Sequence, residues 1–362
     1  MAESCCPELA STCDGQPICY TRVAAAPLSS RSARRDAYVT TMHTNSDSVS
    51  PVVTAPAWQE SPAVEVDDTW LSSSDQDQSI RHNLRVIIYD ELWHYRGLMY
   101  ELTRRDIRVR YKQTVLGFAW AMLLPSLIVL AGGMVRYAMA YVGGRHLGVE
   151  DLAGIAIKAV PWSFFVGSMG FATASLVGQA NLVTKIYFPR EVLPLAATLA
   201  QAFDACLGVV SLLIAFALVG VDYGLAALWV PVLVVCAFFL TAGLALLVSC
   251  ANLFFRDVKY VVQVLLMFGI FFTPVFFEPE MFGALGARVM MVNPLAPLLE
   301  GLRLSVVMDH NLLDPLVVQG RHGVVLAWSP WYLAYSATCA IVALLAGLLL
   351  FHRGESKFAE YV

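Results

Sequence analysis

Charge is scarce in this chain of 362 residues: Asp, Glu, Lys and Arg make up 14 % of it, against 58 % hydrophobic residues. A soluble domain carries about 25 % charged residues and cannot hide so much apolar surface, so the shortage excludes a soluble globular fold. Catalytic groupings are missing as well. No paired carboxylates, HExxH or cluster of His with acids stand out at the expected membrane faces, and His146, His310 and His322 are scattered through outer loops, which argues against a membrane-embedded glycosyl- or acyltransferase. No run of the form GxxxxGK[ST] occurs, so the chain supplies no loop of its own to cradle nucleotide phosphates. Of eight cysteines, Cys5, Cys6, Cys13 and Cys19 lack the second CxxC of a zinc site. Cys206, Cys236, Cys250 and Cys339 sit in apolar runs as small hydrophobes, and neither a metal nor a disulfide framework is expected. A basic start followed by an apolar run and a cleavage site is also lacking, so no signal peptide is expected.

The charge that is present divides unevenly. Residues 1–80 hold four Arg and eleven acids, a net of −7, which leaves +3 for residues 81–362 against the whole-chain −4. This first segment is rich in Ser, Thr, Ala, Pro and Asp and has too little apolar surface to offset its ordering entropy. It is expected to be a disordered acidic tail.

Beyond it, apolar runs reach the roughly 20 residues that a bilayer core demands of a helix. Bounded by charge and turn signals, they predict six spans near 115–141, 157–180, 192–219, 225–251, 258–277 and 331–351. Arg104, Arg105, Arg108, Arg110, Lys112, Lys185, Arg190, Arg256, Lys259, Arg353 and Lys357 fall on one side. Arg145, Lys158, Arg288, Arg303 and Arg321, with Arg136, fall on the other. The excess of cations marks the cytoplasmic face, so both termini are expected there. The longest connection, 278–330, contains a semi-apolar stretch at 289–308 broken by Asn293, Pro294 and Pro297. It reads as a re-entrant pair of short helices dipping partway into the membrane, with a plain outer loop as the other reading. Before the first span, 84–102 places Leu84, Ile87, Ile88, Leu92, Tyr95, Leu98 and Leu102 at helical spacing, the mark of an amphipathic helix along the membrane surface. The fold class is therefore all-α and polytopic: tail 1–80, interface helix and basic approach 81–112, six-span domain 113–351, and cytoplasmic tail 352–362.

Three segments carry more than hydropathy. LTRRDIRVRYKQTVLGFAWAMLLP at 102–125 puts five cations and one acid ahead of the first span. NLVTKIYFPREVLP at 181–194 joins spans two and three, and NLFFRDVKYVVQVLLMFGIFFTPVFF at 252–277 forms span five. Seen alone, the first is a positive-inside anchor. Together and in register with the topology, they resemble the permeases of the polysaccharide-exporting branch of the type-2 ABC transporters, which move O-antigen, capsule or teichoic-acid chains, over about 84–351.

That resemblance implies a transport permease rather than an enzyme, a homodimer in the cytoplasmic (inner) membrane bound to two copies of a separate ATPase. ATP and Mg would be held by that partner and no cofactor by this chain. The cargo would be polysaccharide or lipid-linked glycan, with nucleic acid playing no part. A smaller lipid-linked saccharide or a drug is the alternative within the family. In such permeases the link between spans two and three is a coupling helix seated in the ATPase, a role that falls on Thr184, Lys185, Ile186, Tyr187, Phe188, Pro189, Arg190 and Glu191. The residues themselves suit docking, being compact, mixed in charge and aromatic, with Pro189 separating them from the next helix. An ordinary inner loop is the other reading.

The membrane gate falls on Arg104, Arg105, Asp106, Arg108, Arg110, Tyr111 and Lys112. A second cytoplasmic contact falls on Asn252, Arg256 and Asp257, where an adjacent Arg and Asp can equally pair or cap a helix. Aromatic rings can accompany the C–H faces of sugars, which makes Trp120, Tyr137, Phe164, Phe165, Phe171 and Phe271 candidates to line the path, although lipid-facing positions suit aromatics too. Asp204 stands well inside span three and needs a partner or water. Gln201, Ser211 or another helix is expected to supply it. Gly170, Ala174 and Gly178 repeat at a four-residue spacing that permits close helix approach.

Overall fold

A computed structural model describes residues 12–13, 16–17, 93–112, 114, 117–144, 146, 148–179, 188–220, 224–320 and 323–361. In residues 1–69 the description is confined to an antiparallel pairing of Thr12–Cys13 with Gln16–Pro17. The rest of the expected tail lies outside the described residues. Residues 70–362 form a separate compact unit.

Nine α-helices are described in that unit. The first, α1 (Arg96–Tyr111), carries the basic segment itself. Of the surface helix expected over 84–102, residues 84–92 lie outside the described residues, and the described helix begins at Arg96 and runs on to Tyr111. Its arginines, Leu, Met and Glu lose little rotamer freedom in a helix, and Arg108 and Arg110 in its last turn complement the partial negative charge there. Lys112 turns extended (ψ 128°). Gly117, at φ +52°, makes a left-handed turn that a Cβ would strain, and the chain enters the bundle.

Four helices come next that are long and apolar enough to cross a membrane: α2 (Ala119–Val142), α3 (Val149–Gly178), α4 (Val192–Val219) and α5 (Val230–Phe254), the last led in by a 3₁₀ turn at Leu225–Trp229. α9 (Pro330–Tyr361) is the fifth such helix. Between them α6 (Val258–Phe272) is apolar but has 15 residues, about 22 Å at 1.5 Å per residue. The predicted fifth span, 258–277, is thus cut short. Pro274 disfavours the helical region at the residue before it, and Thr273 is extended at ψ 141°. Thr273 Oγ1 donates to the Gly269 carbonyl at 2.8 Å and accepts from Asn293 Nδ2 at 3.1 Å, which ties the break to the segment beyond it.

Two other boundaries move. Helix α3 begins at Val149 rather than 157, with Glu150 and Asp151 in its first turn, where acids favour the helix start. Lys158, assigned to a loop by sequence, is therefore well inside it. Residues 352–361 of the expected tail are helical and continue α9.

The connection between α6 and α9 contains the expected pair of short helices, α7 (Gly283–Met291) and α8 (Leu295–Val306), preceded by a 3₁₀ turn at Pro279–Phe282. Every residue of α8 is buried. An antiparallel hairpin, β1 (Leu316–Gly320) with β2 (Gly323–Trp328), completes the connection and departs from the all-helical expectation. Its β-branched residues framed by Gly320 and Gly323 are the sequence signal for it. Trp328 is fully buried, and its indole N–H donates to the Leu312 carbonyl at 2.9 Å.

Close helix approach falls elsewhere than at Gly170 and Gly178, where an added Cβ would meet nothing within 4 Å. It occurs where α5 packs along α9. A Cβ on Gly243 would overlap the backbone of Ala343, and one on Gly347 would lie 2.6 Å from the Gly243 carbonyl oxygen. Because an inserted carbon there has backbone as its neighbour, Gly243→Val is expected to reduce the yield of monodisperse detergent-extracted protein several-fold. Gly170→Val should leave it within two-fold, as read by size-exclusion chromatography.

Candidate functional site

Helices alternate in direction, so the starts of α2, α4 and α6 share one end of the bundle with the ends of α3, α5 and α9. The basic helix α1 lies at that end. Most of its gate residues face outward: Arg104, Arg105, Arg108 and Lys112 are exposed. Arg104 reaches Glu101 at 3.8 Å and Arg105 reaches Asp106 at 2.9 Å, surface pairs of little energetic weight.

Arg110 and Tyr111 turn inward. Both bind the Asp204 carboxylate of α4, the guanidinium through Nη1 and the phenol through its hydroxyl. Burial, and then the hydrogen bond to Asp204, push the Tyr111 phenol well above its ordinary pKa. Gln201, one turn earlier on α4, accepts from Arg110 Nη1 and Nη2 at 2.8 and 3.1 Å with its amide oxygen turned towards them. The guanidinium also lies 4.3 Å from the centre of the Phe171 ring. The surroundings of Asp204 thus include Gln201, as expected, but its counter-charge comes from the basic segment 94 residues earlier, which no local spacing announces. Ser211 instead donates to the Gly208 carbonyl.

This cluster borders a cavity of about 200 Å³ walled by α2, α3 and α4. Three of the six candidate aromatics line it, Trp120, Phe164 and Phe171, beside Arg110, Asp204 and Gln201. Small residues leave the space: a Cβ on Gly167 would stand 2.5 Å from the Gln201 amide. The remaining three are elsewhere. Phe165 packs 5.9 Å from Trp162, and Tyr137 and Phe271 lie exposed on the surface of the single chain. Rings flanking a carboxylate, an amide and a guanidinium combine apolar faces with both donors and acceptors.

Of the candidate coupling link, Thr184, Lys185, Ile186 and Tyr187 lie outside the described residues. Phe188, Pro189 and Glu191 are buried and Arg190 half-buried. Phe188 joins Leu102 of α1, Leu176 of α3, Val192 and Leu193 of α4, Leu253 of α5 and Phe351 of α9 in one apolar cluster. Glu191 stands 3.8 Å from His352 on α9. Five helices therefore meet at the link.

The second candidate contact separates into two parts. Asn252 is buried, donating to the Thr173 carbonyl at 2.9 Å and accepting from the Lys259 N–H at 3.2 Å; it joins α3, α5 and α6. Arg256 and Asp257 are exposed and do not pair with each other, and Asp257 makes no side-chain cap.

The opposite end holds a feature that sequence patterning does not reveal. Arg136 of α2 binds Glu278 and approaches Asp151 of α3 at 3.6 Å. Arg303 of α8 reaches Glu300 at 2.5 Å, Glu278 at 3.3 Å and Glu280 at 3.6 Å. Lys158 of α3 reaches Glu300 at 3.5 Å, each side chain only 1–2 % exposed. Burial raises Glu278, but Arg303, Arg136 and Lys158 outweigh it and hold its pKa below the usual value. Burial dominates at Glu280 and pushes it up to about 7. By charge counting, Arg136, Lys158 and Arg303 are outer cations; the Glu300–Arg303 spacing of three, on one helical face, is the one local sign of the network.

Comparison with known proteins gives a consistent answer. The profile described as ABC-2 type transporter matches residues 98–307. The chain is 29 % identical to the O-antigen export system permease protein RfbA of Myxococcus xanthus over 248 residues, covering 66 % of this chain and 92 % of that protein. It is 24 % identical to a protein of the same name from Klebsiella pneumoniae over 268 residues, 73 % of this chain and 94 % of the relative.

Asp204→Ala leaves Arg110 half-buried without its carboxylate, and should cost about 3 kcal/mol, the low end for breaking a buried pair. The double change Arg110→Gln with Asp204→Asn should cost less than Asp204→Ala. Thermal unfolding in detergent micelles checks the order; equal losses would show that the two residues do not act as a pair.

Proposed function

Because the chain belongs to the ABC-2 type transporter family, we propose that two copies of it form the membrane path of an exporter that moves polysaccharide, free or lipid-linked, across a cytoplasmic membrane. The chain is a permease and not an enzyme; energy comes from an ATPase subunit, of which the dimer would bind two copies. The observation that carries the cargo assignment is the agreement of relatives named as O-antigen export permeases, matched over 92–94 % of their own length. The cavity supports it: Trp120, Phe164 and Phe171 beside Asp204, Gln201 and Arg110 suit a ligand with apolar faces and hydroxyl edges.

In this reading the basic end is cytoplasmic, since cations gather beside its spans, and both termini lie there. The ATPase seats the link at 184–191. Pro189 stops it from merging with α4, and Phe188 sits in the apolar cluster that joins α1, α3, α4, α5 and α9. A push on the link therefore moves five helices together, because a close-packed interior transmits displacement rather than absorbing it. Nucleotide supplies the bias by binding the closed ATPase pair better than the open one. Helix α1, held to α4 through Arg110 and Asp204, gates the inner mouth, and the α7–α8 pair closes the outer one. Arg256 and Asp257, exposed at the same end as α1, offer the ATPase a second contact.

Replacing Tyr187–Glu191 with Gly and Ser should leave the chain inserted and the ATPase bound at a reduced level while ATP-dependent glycan export falls at least ten-fold. Export by proteoliposomes at the wild-type rate would overturn the coupling role. Purification of the chain without any ATPase would overturn the assembly.

A further inference from the structure

The ion network at the end remote from α1 does not balance. Arg136, Lys158 and Arg303 contribute three positive charges, and Asp151, Glu278, Glu280 and Glu300 four negative ones. These residues come from α2, α3, the 3₁₀ connection and α8; α7 and the hairpin also pack on the 3₁₀ turn. Among the described residues no further ion pair enters the set. The network's cations also meet sulfurs, Met281 at 3.5 Å from Arg136 and Met308 at 3.6 Å from Arg303. One uncompensated negative charge remains in a site from which most water is excluded, and such a charge is removed most cheaply by a proton.

The geometry indicates which carboxylate carries it. Glu300 is met by Lys158 and twice by Arg303. Glu278 is met by Arg136 and Arg303, and Asp151 by Arg136 and the Gly148 N–H. Glu280 has one cation, Arg303 at 3.6 Å, and a buried Oε2 without a hydrogen-bond partner. With the fewest cations around it, Glu280 is the carboxylate of the four that holds a proton at least cost.

We infer that Glu280 is a proton-binding site, and that its proton is what lets the buried network hold α8 and the 3₁₀ turn Pro279–Phe282 against α2 and α3. Its loss places a net negative charge under α8 and loosens the α7–α8 pair. The inference stands on the network alone and does not depend on what cargo is carried.

The network also sets the direction of the pH response. Glu280 binds its proton more tightly docked, at about pH 7, than released into water, at about 4.3. Its contribution to docking is therefore complete below the ordinary carboxylate range and is lost as pH rises through about 7. Glu278, held low, acts oppositely, and only in acid. Docking should be firmest in the window between.

Hydrogen exchange of the full chain in lipid nanodiscs, corrected for intrinsic exchange, tests this at residues 295–306. Protection should fall about ten-fold between pH 6 and pH 8. Glu280→Gln, permanently neutral, should keep the pH 6 protection at pH 8. Arg136→Gln, which removes one compensating cation, should move the midpoint upward, a shift that a merely structural role would not produce. Equal protection at both pH values in the unaltered chain, or the same fall in Glu280→Gln, would overturn the proposal. If Arg136→Gln fails to insert, the comparison of the unaltered chain with Glu280→Gln still decides.

Discussion

Lipid offers a buried charge neither water nor counter-ions, so each ionised group inside the bundle has to find its partner within the chain. Two groups of residues answer that constraint, one at each end. At the basic end Asp204 is met by Arg110 and Tyr111; at the other, three cations meet four carboxylates across α2, α3, α8 and the 3₁₀ turn. The interior between them is apolar and close-packed, with α5 and α9 approaching to backbone contact at Gly243 and Gly347. Charge is thus kept for the places where a surface segment is fastened to a span.

The two fastenings hold different kinds of element. Helix α1 is amphipathic in effect: Leu102 is buried among Phe188, Leu193 and Phe351, while Arg104, Arg105 and Arg108 stay outside. One ion pair fixes the end of such a helix without immersing the rest. Helix α8 is buried throughout, and its charges need a larger set of partners because none of them reaches solvent freely. A broken segment of this kind survives at membrane depth because protein covers its irregular backbone: Thr273 and Asn293 bond each other where α6 ends, and Trp328 of the hairpin is buried against the Leu312 carbonyl.

Sequence reading located the spans because the bilayer imposes a length and a composition that no tertiary contact is needed to reveal. It found the broken segment from Asn293, Pro294 and Pro297, which act locally. It placed helix ends less well where tertiary contacts set them. Lys158 reads as a loop residue until Glu300, 142 positions later, neutralises it, and α1 runs past its expected end at 102 because Arg110 has a partner on α4.

The sequence alone determined that the chain lives in lipid, where its six apolar segments fall, and which segments resemble a polysaccharide-exporting permease. Those properties rest on composition and on residues close in the chain. Only the tertiary structure decided which charges are paired, that three of the six candidate aromatics share one cavity with Asp204, and that Phe188 of the link joins five helices. Pairing and enclosure depend on residues tens to more than a hundred positions apart meeting at a few ångströms, and the apolar runs that separate them carry no record of which partner each one will find.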